Sequence, residues 1–519
     1  MAAEALREAA GETSWRVELP DEAATVSLAA SVAKWMGAGD LITLSGDLGS
    51  GKTTFARAII RALSGDDELE VPSPTFTLMQ VYQGAVCPIV HADLYRIRNP
   101  EELAELGWEE AAEGALVLVE WPERAGELLN ADRLDIAFRI DAARGPSFRT
   151  AILTGIGSLE ARLSVNRAIH EMVERSGWSQ AERQFMQGDA STRLYERLVK
   201  KNGESAILMT SPPRPDGPPV RYGKPYSAIA RLAEDIRPFI AIDSGLRKLG
   251  LSAPEIIAYD LKTGLAVLED FGFETIVDSQ GHIVQERYAE GIAVLTKLHS
   301  ATHPDVLPIQ EGLDYSIPPY DVDALSIEVE LLVDWYAPHI AKVALTSGAK
   351  SSFVNLWRHT LNEILAVPPT WSLRDFHSPN LLWLPEREGL ERIGIIDFQD
   401  CVLGHPAYDV ASLLQDARVT VPDEIELKLL GHYARLRREA DPNFDLAAFA
   451  RAYAILGAQR ATKILGIFAR LDKRDHKPQY LAHLPRIEKY LCKDLAHPAL
   501  AELKSWYATH LPATLSVAS

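Results

Sequence analysis

Cysteine is almost missing from this chain. The three present, Cys87, Cys401 and Cys492, lie far apart in 519 residues. They make neither a disulfide framework nor a thiolate metal site, which points to a reducing, cytoplasmic setting. Long apolar runs are missing too. No stretch is long and uncharged enough to span a bilayer, so no membrane association is expected. The first residues, MAAEALREAAGETSW, carry acids where a secretory signal needs a basic start and an apolar run. Positive charge is the third shortage. Lys and Arg number 53 against 72 Asp and Glu, a formal net of −19. Residues 1–150 hold 13 against 25, a net of −12. A net-acidic module repels phosphate backbones at long range, so direct nucleic-acid binding by this part is not expected.

What is present is an ordinary globular content, 47% hydrophobic, in a chain too long for one domain. Residues 14–150 alternate strand-like and helical segments: WRVEL, a helix from Asp21 to Trp35, LITLS, and a helix from about Lys52 to Leu63. After these come VYQGAVCPIVHADLY, an acidic helical EELAELGWEEAAE, ALVLVEW, DRLDIAFRID and FRTAILTG. Such alternation predicts an α/β sheet. The glycines of Gly155-Ile156-Gly157-Ser158 suggest a boundary, giving a domain at 1–155, a linker at 156–163 and a second domain at 164–519. That domain opens with an amphipathic helix, ARLSVNRAIHEMVERSG, and is rich in strands to about residue 270. From 271 to 519 it is mainly helical, with short apolar strands near Asn380–Leu384 and Ile393–Ile396. A strand-rich lobe followed by a helical one predicts a two-lobed α+β fold of the protein-kinase kind. SPPRPDGPPVRYGKP, dense in Pro and Gly, reads as a loop. No internal repeat links the halves.

LITLSGDLGSGKTTFARAII places Gly46, Gly51, Lys52 and Thr53 at the P-loop spacing, with an apolar strand before it and a helix after. Glycine torsions let several backbone N–H groups point at phosphate oxygens, and the helix N-terminus adds its dipole. The candidate nucleotide-binding residues are Gly46, Gly49, Gly51, Lys52, Thr53 and Thr54. Lys52 reaches the outer phosphates of ATP and the Thr53 hydroxyl is a ligand for Mg²⁺. Two carboxylates end apolar strands, the ligand side of an α/β sheet. Asp93, after PIVHA, is the candidate metal ligand, and Glu120, after ALVLV, the candidate group that orients or activates water.

These residues carry a resemblance. GDLGSGKTTFARAII, SPTF at Ser73–Phe76, HADLYRI at His91–Ile97, ELGWEE at Glu105–Glu110 and LVEWPER at Leu118–Arg124 resemble the bacterial ATPase subunit of tRNA threonylcarbamoyladenosine biosynthesis over about residues 14–150. The resemblance implies a P-loop α/β fold and slow ATP hydrolysis in support of threonylcarbamoyl transfer to adenosine 37 of tRNA. It implies two protein partners, the threonylcarbamoyltransferase subunit and its inactive paralogue, with tRNA contacted only indirectly. It also places Thr75 in a switch-like loop. Trp121, next to Glu120, is equally a packing aromatic or a nucleotide contact.

The second half carries three motifs in order. LEDFG at Leu268–Gly272 follows an apolar strand, as a hinge between lobes does, and makes Glu269 a candidate cofactor contact. LRDFHSPNLLWL sets Asp375 and Asn380 five apart. IGIIDFQD sets Asp397 a further 17 residues on, after another apolar strand. This is the kinase order of D-x-x-x-x-N and a DFG-like aspartate. Asp375 is the candidate base for the attacking hydroxyl, and Asn380 and Asp397 are candidate Mg²⁺ ligands. One part is missing: where a kinase strand has lysine, SAILMTSPP has Met209. Lys200, Lys201, Lys224, the backbone near Gly188–Thr192, or Mg²⁺ alone must then meet phosphate charge. Gln459, Arg460 and Lys463 share a helical stripe that either faces a sugar acid or is solvated. Asp409 and Asp416 read as structural, and His377 as a loop-packing or substrate-facing residue.

QGDASTRLYERL at Gln187–Leu198, RDFHSPNLLWLP, IDFQDCVLGHPAYDVASLLQDAR at Ile396–Arg418 and GAQRATKILGIFARL at Gly457–Leu471 resemble the anomeric kinases of cell-wall amino sugars. The likeness spans about residues 164–500. It implies the aminoglycoside-phosphotransferase-like fold and phosphorylation of the C1 hydroxyl of N-acetylmuramate and N-acetylglucosamine in peptidoglycan recycling. Together the two resemblances imply a bifunctional fusion. Met209 keeps an alternative open, a non-catalytic sugar sensor or scaffold. A kinase for another hydroxyl acceptor, such as an aminoglycoside, is a third reading.

Overall fold

A computed structural model of the chain describes residues 14–99, 102, 107–126, 129, 132–186, 193–211, 213 and 217–515. Two compact units divide between Glu174 and Arg175.

The first unit is a seven-stranded sheet in the order β1-β7-β6-β2-β5-β4-β3. Its strands are β1 Ser14–Leu19, β2 Leu41–Ser45, β3 Met79–Gln83, β4 Pro88–Asp93, β5 Leu116–Glu120, β6 Arg133–Ile140 and β7 Arg149–Ile156. The centre, β6-β2-β5-β4, is parallel, and β1, β3 and β7 pair antiparallel. Buried on both faces, β2 and β5 are near-continuous apolar runs, as parallel strands are. Helix α1, Glu22–Ala33, starts where the Asp21 carboxylate accepts from Ala24 N. Helix α2, Lys52–Ser64, ends at Gly65 in the left-handed region. The apolar segment VYQGAVCPIVHADLY is a hairpin, because Gly84 lets the chain turn between β3 and β4. Of the acidic segment EELAELGWEEAAE, the described residues form a short helix over Trp108–Ala112, and most of Glu101–Leu106 lies outside the described residues. Helix α3, Ser158–Arg175, covers most of the expected linker. Its Leu159 and Leu163 lie in the first unit's core, so the chain turns at Gly157 and packs back on the sheet.

The second unit opens with a five-stranded antiparallel sheet, order β11-β12-β10-β9-β8. These strands are β8 Glu182–Met186, β9 Leu194–Val199, β10 Ser205–Thr210, β11 Ile256–Asp260 and β12 Leu265–Glu269. Helix α4, Arg237–Lys248, packs its apolar stripe into the same core. A helical lobe follows, with α5 Gln285–Ser300, α6 Val322–Leu331, α7 Ser347–Asn362, α8 Ala407–Leu414, α9 Asp423–Ala440 and the 30-residue α10 Leu446–Asp475. The short strand pairs β15 Thr370–Ser372 with β18 Val402–Gly404, and β16 Leu381–Trp383 with β17 Ile393–Ile395, frame its loops; β13 Val306–Gln310 and β14 Leu313–Ser316 form a separate hairpin. At Gly466 of α10 a Cβ would stand 2.4 Å from the carbonyl carbon of Leu331, so only glycine lets these helices approach. Cys87, Cys401 and Cys492 are free thiols. Among the described residues no helix is long and apolar enough to cross a membrane.

Asp243 of α4 is an anomaly in this core. It is 3% exposed, and its Oδ1 has no hydrogen-bond partner. Burial pushes its carboxyl up to about 7, against the pull of Arg247. A carboxyl raised in the folded state adds stability below its unfolded pKa and loses it as pH rises through the folded one. Asp243→Asn, neutral throughout, should therefore gain on the parent by roughly 2–4 kcal/mol between pH 4 and pH 8. Chemical denaturation followed by circular dichroism at the two pH values measures this; parallel pH responses would contradict it.

Candidate active sites

In the first unit, β2 runs straight into the glycine loop. Gly46 has φ 131°, and a Cβ there would stand 2.3 Å from the Phe138 carbonyl oxygen of β6. Glycine alone lets the loop pass this strand. Gly49 and Gly51 also have positive φ, and Gly51 caps α2. The parallel register sets Asp93 of β4 opposite Glu120 of β5, and Glu120 opposite Leu44 of β2. Both carboxylates thus stand at strand carboxyl ends, beside the glycine loop. They share a cavity of about 300 Å³ with Gly49, Gly51, Lys52, Thr53 and Thr54.

The contacts inside it are specific. Thr53 Oγ1 donates to Glu120 Oε2 at 2.9 Å. Ser73 Oγ and Thr75 Oγ1 donate to Asp93 Oδ2 at 3.0 and 2.8 Å. Lys52 Nζ donates to the carbonyls of Gly46 and Asp47 at 2.8 and 3.0 Å, and stands 3.9 Å from the Trp121 ring centroid. Burial lowers the Lys52 pKa, against the attraction of Glu120 and Asp93. Trp121 has φ 60° and packs on Tyr95, so it walls the cavity. The hydroxyl and two carboxylates are hard oxygen donors of the kind that suit Mg²⁺. His91 had been given no role. Its Nε2 lies 3.0 Å from Glu120 Oε1, and it is fully buried. It stands two residues before Asp93 on a strand, a spacing that puts both on one face.

In the second unit the kinase motifs converge. Asp375 follows β15, Asn380 closes the turn before β16, and Asp397 follows β17. Asn380 Nδ2 donates to the Asp375 carbonyl at 3.0 Å, and Ile396 N donates to the Asn380 carbonyl at 3.0 Å. That backbone bond sets Asn380 against the residue that precedes Asp397. Both carboxylates remain partly accessible, at 37% and 39%. Burial raises the Asp397 pKa, and the nearby Asp375 charge raises it further. Such crowding suits a dication with oxygen ligands. Burial also pushes the Asp375 carboxyl up, but Lys463, His377, Arg374 and Arg460 override this and hold it below the ordinary range.

Buried groups hold the loop in place. Asp409 of α8 accepts from Leu373 N at 2.7 Å, Arg374 N at 2.8 Å and Ser372 Oγ at 3.1 Å. Asp416 accepts from Ser378 N and Oγ at 2.9 and 2.5 Å. Both fix the loop that carries Asp375 through its backbone. His377 is buried, and burial lowers its pKa. Glu328 of α6, 1% exposed, contacts Arg374, Lys463 Nζ at 3.0 Å, Tyr320 OH at 2.5 Å and Gln459 Nε2 at 3.1 Å. The stripe Gln459, Arg460, Lys463 is therefore internal, not solvated, with Lys463 the most exposed of the three at 12%. Glu269 is not brought to the cluster: its carboxylate meets Arg387 and accepts from Glu255 N at 3.1 Å.

Met209 is 1% exposed, with Tyr195 and Ala266 as its strand partners. Of the candidate cations to replace it, Lys200 pairs with Glu204, and Lys201 and Lys224 are exposed. Gly188–Thr192 lies outside the described residues. Arg193, which drew no attention in the sequence, donates from Nη1 to Asp397 Oδ1 at 2.9 Å.

The comparisons agree with this division. Residues 19–146 match the family described as threonylcarbamoyl adenosine biosynthesis protein TsaE, and residues 182–444 match the phosphotransferase enzyme family. The N-acetylmuramate/N-acetylglucosamine kinase of Caulobacter vibrioides is 39% identical over 349 residues, 65% of this chain and 94% of that protein. The tRNA threonylcarbamoyladenosine biosynthesis protein TsaE of Rickettsia felis is 41% identical over 122 residues, 24% of this chain and 71% of that protein. The chain belongs to both families, TsaE first and phosphotransferase second. The kinase of Pseudomonas putida with the same name as that of Caulobacter is 32% identical over 319 residues, 61% of this chain and 84% of that protein. The fusion thus joins a TsaE unit to a phosphotransferase unit related to the amino-sugar kinases.

Removing one member of the Glu328 cluster leaves Arg374 and Lys463 buried without their shared carboxylate. Glu328→Gln should lower the stability of the second unit by about 3–5 kcal/mol. Urea unfolding followed by tryptophan fluorescence measures it, and a loss under about 1 kcal/mol would mean the cluster is solvated.

Proposed function

We propose that the second unit transfers the γ-phosphoryl group of ATP to the anomeric hydroxyl of N-acetylmuramate or N-acetylglucosamine. The observation that carries this is the convergence of Asp375, Asn380 and Asp397 in one accessible cluster, on a chain related to kinases named for those sugars. Asp375, kept ionised by Lys463, accepts the hydroxyl proton as the oxygen attacks. Asn380 and Asp397 would hold Mg²⁺, which when bound would supply positive charge against the phosphoryl oxygens. Arg374 and Glu328, locked together, keep the loop that presents Asp375 from shifting.

In the first unit, Lys52 and the glycine loop bind ATP phosphates, and Thr53 and Asp93 hold Mg²⁺. Glu120, fixed between Thr53 and His91, orients water for slow hydrolysis. This turnover serves a complex of the threonylcarbamoyltransferase subunit and its inactive paralogue, acting on tRNA that this chain does not itself grip. The acidic balance of residues 1–150 favours that indirect role.

Asp375→Asn should cut sugar phosphate formation by about 10³-fold or more, removing the base while preserving shape. Lys52→Ala should abolish ATP turnover stimulated by the two partner proteins and leave sugar phosphorylation unchanged. Product detection by mass spectrometry, with ³¹P NMR to locate the phosphate on C1, separates the two activities. A parent protein that forms no sugar phosphate would end the transfer reading. Loss of both activities in Lys52→Ala would end the independence of the sites.

A further inference from the structure

Met209 removes the one cation that a kinase lobe ordinarily sends from its sheet toward nucleotide phosphates. We propose that Arg193 fills this role, reaching from the mouth of β9 to bind the phosphates of the nucleotide beside Asp397. This rests on the ATP-dependent transfer proposed above.

Position is the first argument. Met209 pairs in register with Tyr195 on β9, and cross-strand partners share a face of the sheet. The Tyr195 side chain lies close enough to Arg193 for the two to interact. The guanidinium is therefore delivered to the face from which a lysine at 209 would project. It crosses from the sheet to the helical lobe, with Nη1 2.9 Å from Asp397 Oδ1. Asp397 also accepts from Gln399 Nε2 at 2.9 Å and has φ 58°, so its carboxylate is held at a fixed spot.

Burial is the second argument. Arg193 is 8% exposed, and a guanidinium is rarely buried without a compensating anion. Its neighbours include the Asp397 and Asp400 carboxylates. A planar fork of donors can serve a carboxylate and a phosphate together, which an ammonium does less well.

Elimination is the third. The other described cations of this sheet are engaged elsewhere: Arg183 with Glu196, Arg197 with Asp270 and the Phe273 ring, and Lys200 with Glu204 and the Trp178 ring. None of these contacts involves Asp375, Asn380 or Asp397.

The test uses the full chain and follows sugar phosphate directly, so ATP turnover in the first unit does not count. Arg193→Ala should raise KM for ATP at least about tenfold and lower kcat/KM for ATP about 100-fold or more, with KM for N-acetylmuramate changed less than about twofold. Arg193→Lys should fall between, and Met209→Lys added to Arg193→Ala should regain about fivefold or more in kcat/KM for ATP. A KM for ATP within about threefold of the parent, or equal losses for ATP and sugar, would overturn the proposal while leaving the transfer reading intact. Should Arg193→Ala fail to fold, Arg193→Lys decides by the same split between ATP and sugar. If the parent itself makes no sugar phosphate, the transfer reading fails first and Arg193 falls with it.

Discussion

Repulsion between carboxylates is the constraint each site must meet. Phosphate transfer needs hard anionic oxygens gathered where an anionic nucleotide will arrive, and such a cluster resists forming until something compensates it. The two units meet this differently. In the TsaE unit, Asp93 and Glu120 are met mainly by hydrogen bonds, with the hydroxyls of Ser73, Thr75 and Thr53, the backbone N–H of Tyr95 and the ring of His91, and the Lys52 charge stands nearby. In the phosphotransferase unit the compensation is ionic. Arg193 meets Asp397, while Lys463, Arg374 and Arg460 act on Asp375. Hydroxyl donors leave a carboxylate easy to re-ligate when phosphate and metal arrive. Full charges keep a carboxylate ionised and free to accept a proton, at some cost in basicity, which fits the role proposed for Asp375.

The backbone pays a conformational penalty at these same places. Trp121, Arg374 and Asp397 are non-glycine residues in the left-handed region, and each lies at or beside a candidate site residue. Such torsions cost of order 1 kcal/mol or more and persist only where the surroundings fix them. Asp409 supplies much of that fixing at Arg374, because its carboxylate takes the N–H of Leu373 and of Arg374 itself. Here a buried acid stabilises an unusual turn, and the turn aims Asp375.

Most of the architecture was legible because its causes are local. β2 and β5 are apolar over their whole length, Asp21 caps α1, and the glycine spacing at 46–51 has few other uses. The order of Asp375, Asn380 and Asp397 was legible for the same reason, since each closes a short element. What stayed hidden depends on contacts between distant segments. Nothing in the sequence ties Glu328 to Lys463, 135 residues apart, so the stripe on α10 remained equally a solvated face. Likewise, helix α3 carries an amphipathic pattern that fits either unit; Leu159 and Leu163 assign it to the first by packing alone. The pairing of Glu269 with Arg387, 118 residues further on, is another contact that the sequence does not announce.

The lysine position shows how far such reading can go. Electrostatics requires a cation near the phosphates in a two-lobed kinase site, but it does not say which strand supplies it. Register makes the point: Met209, Tyr195 and Ala266 occupy one row across three strands, so several backbone positions open onto the same face. A cation delivered from the start of β9 approaches that face as directly as one on β10. The motif is then a statement about chemistry at a point in space. A chain can keep the chemistry after losing the residue at 209, provided that a neighbouring segment ends in a guanidinium long enough to reach Asp397.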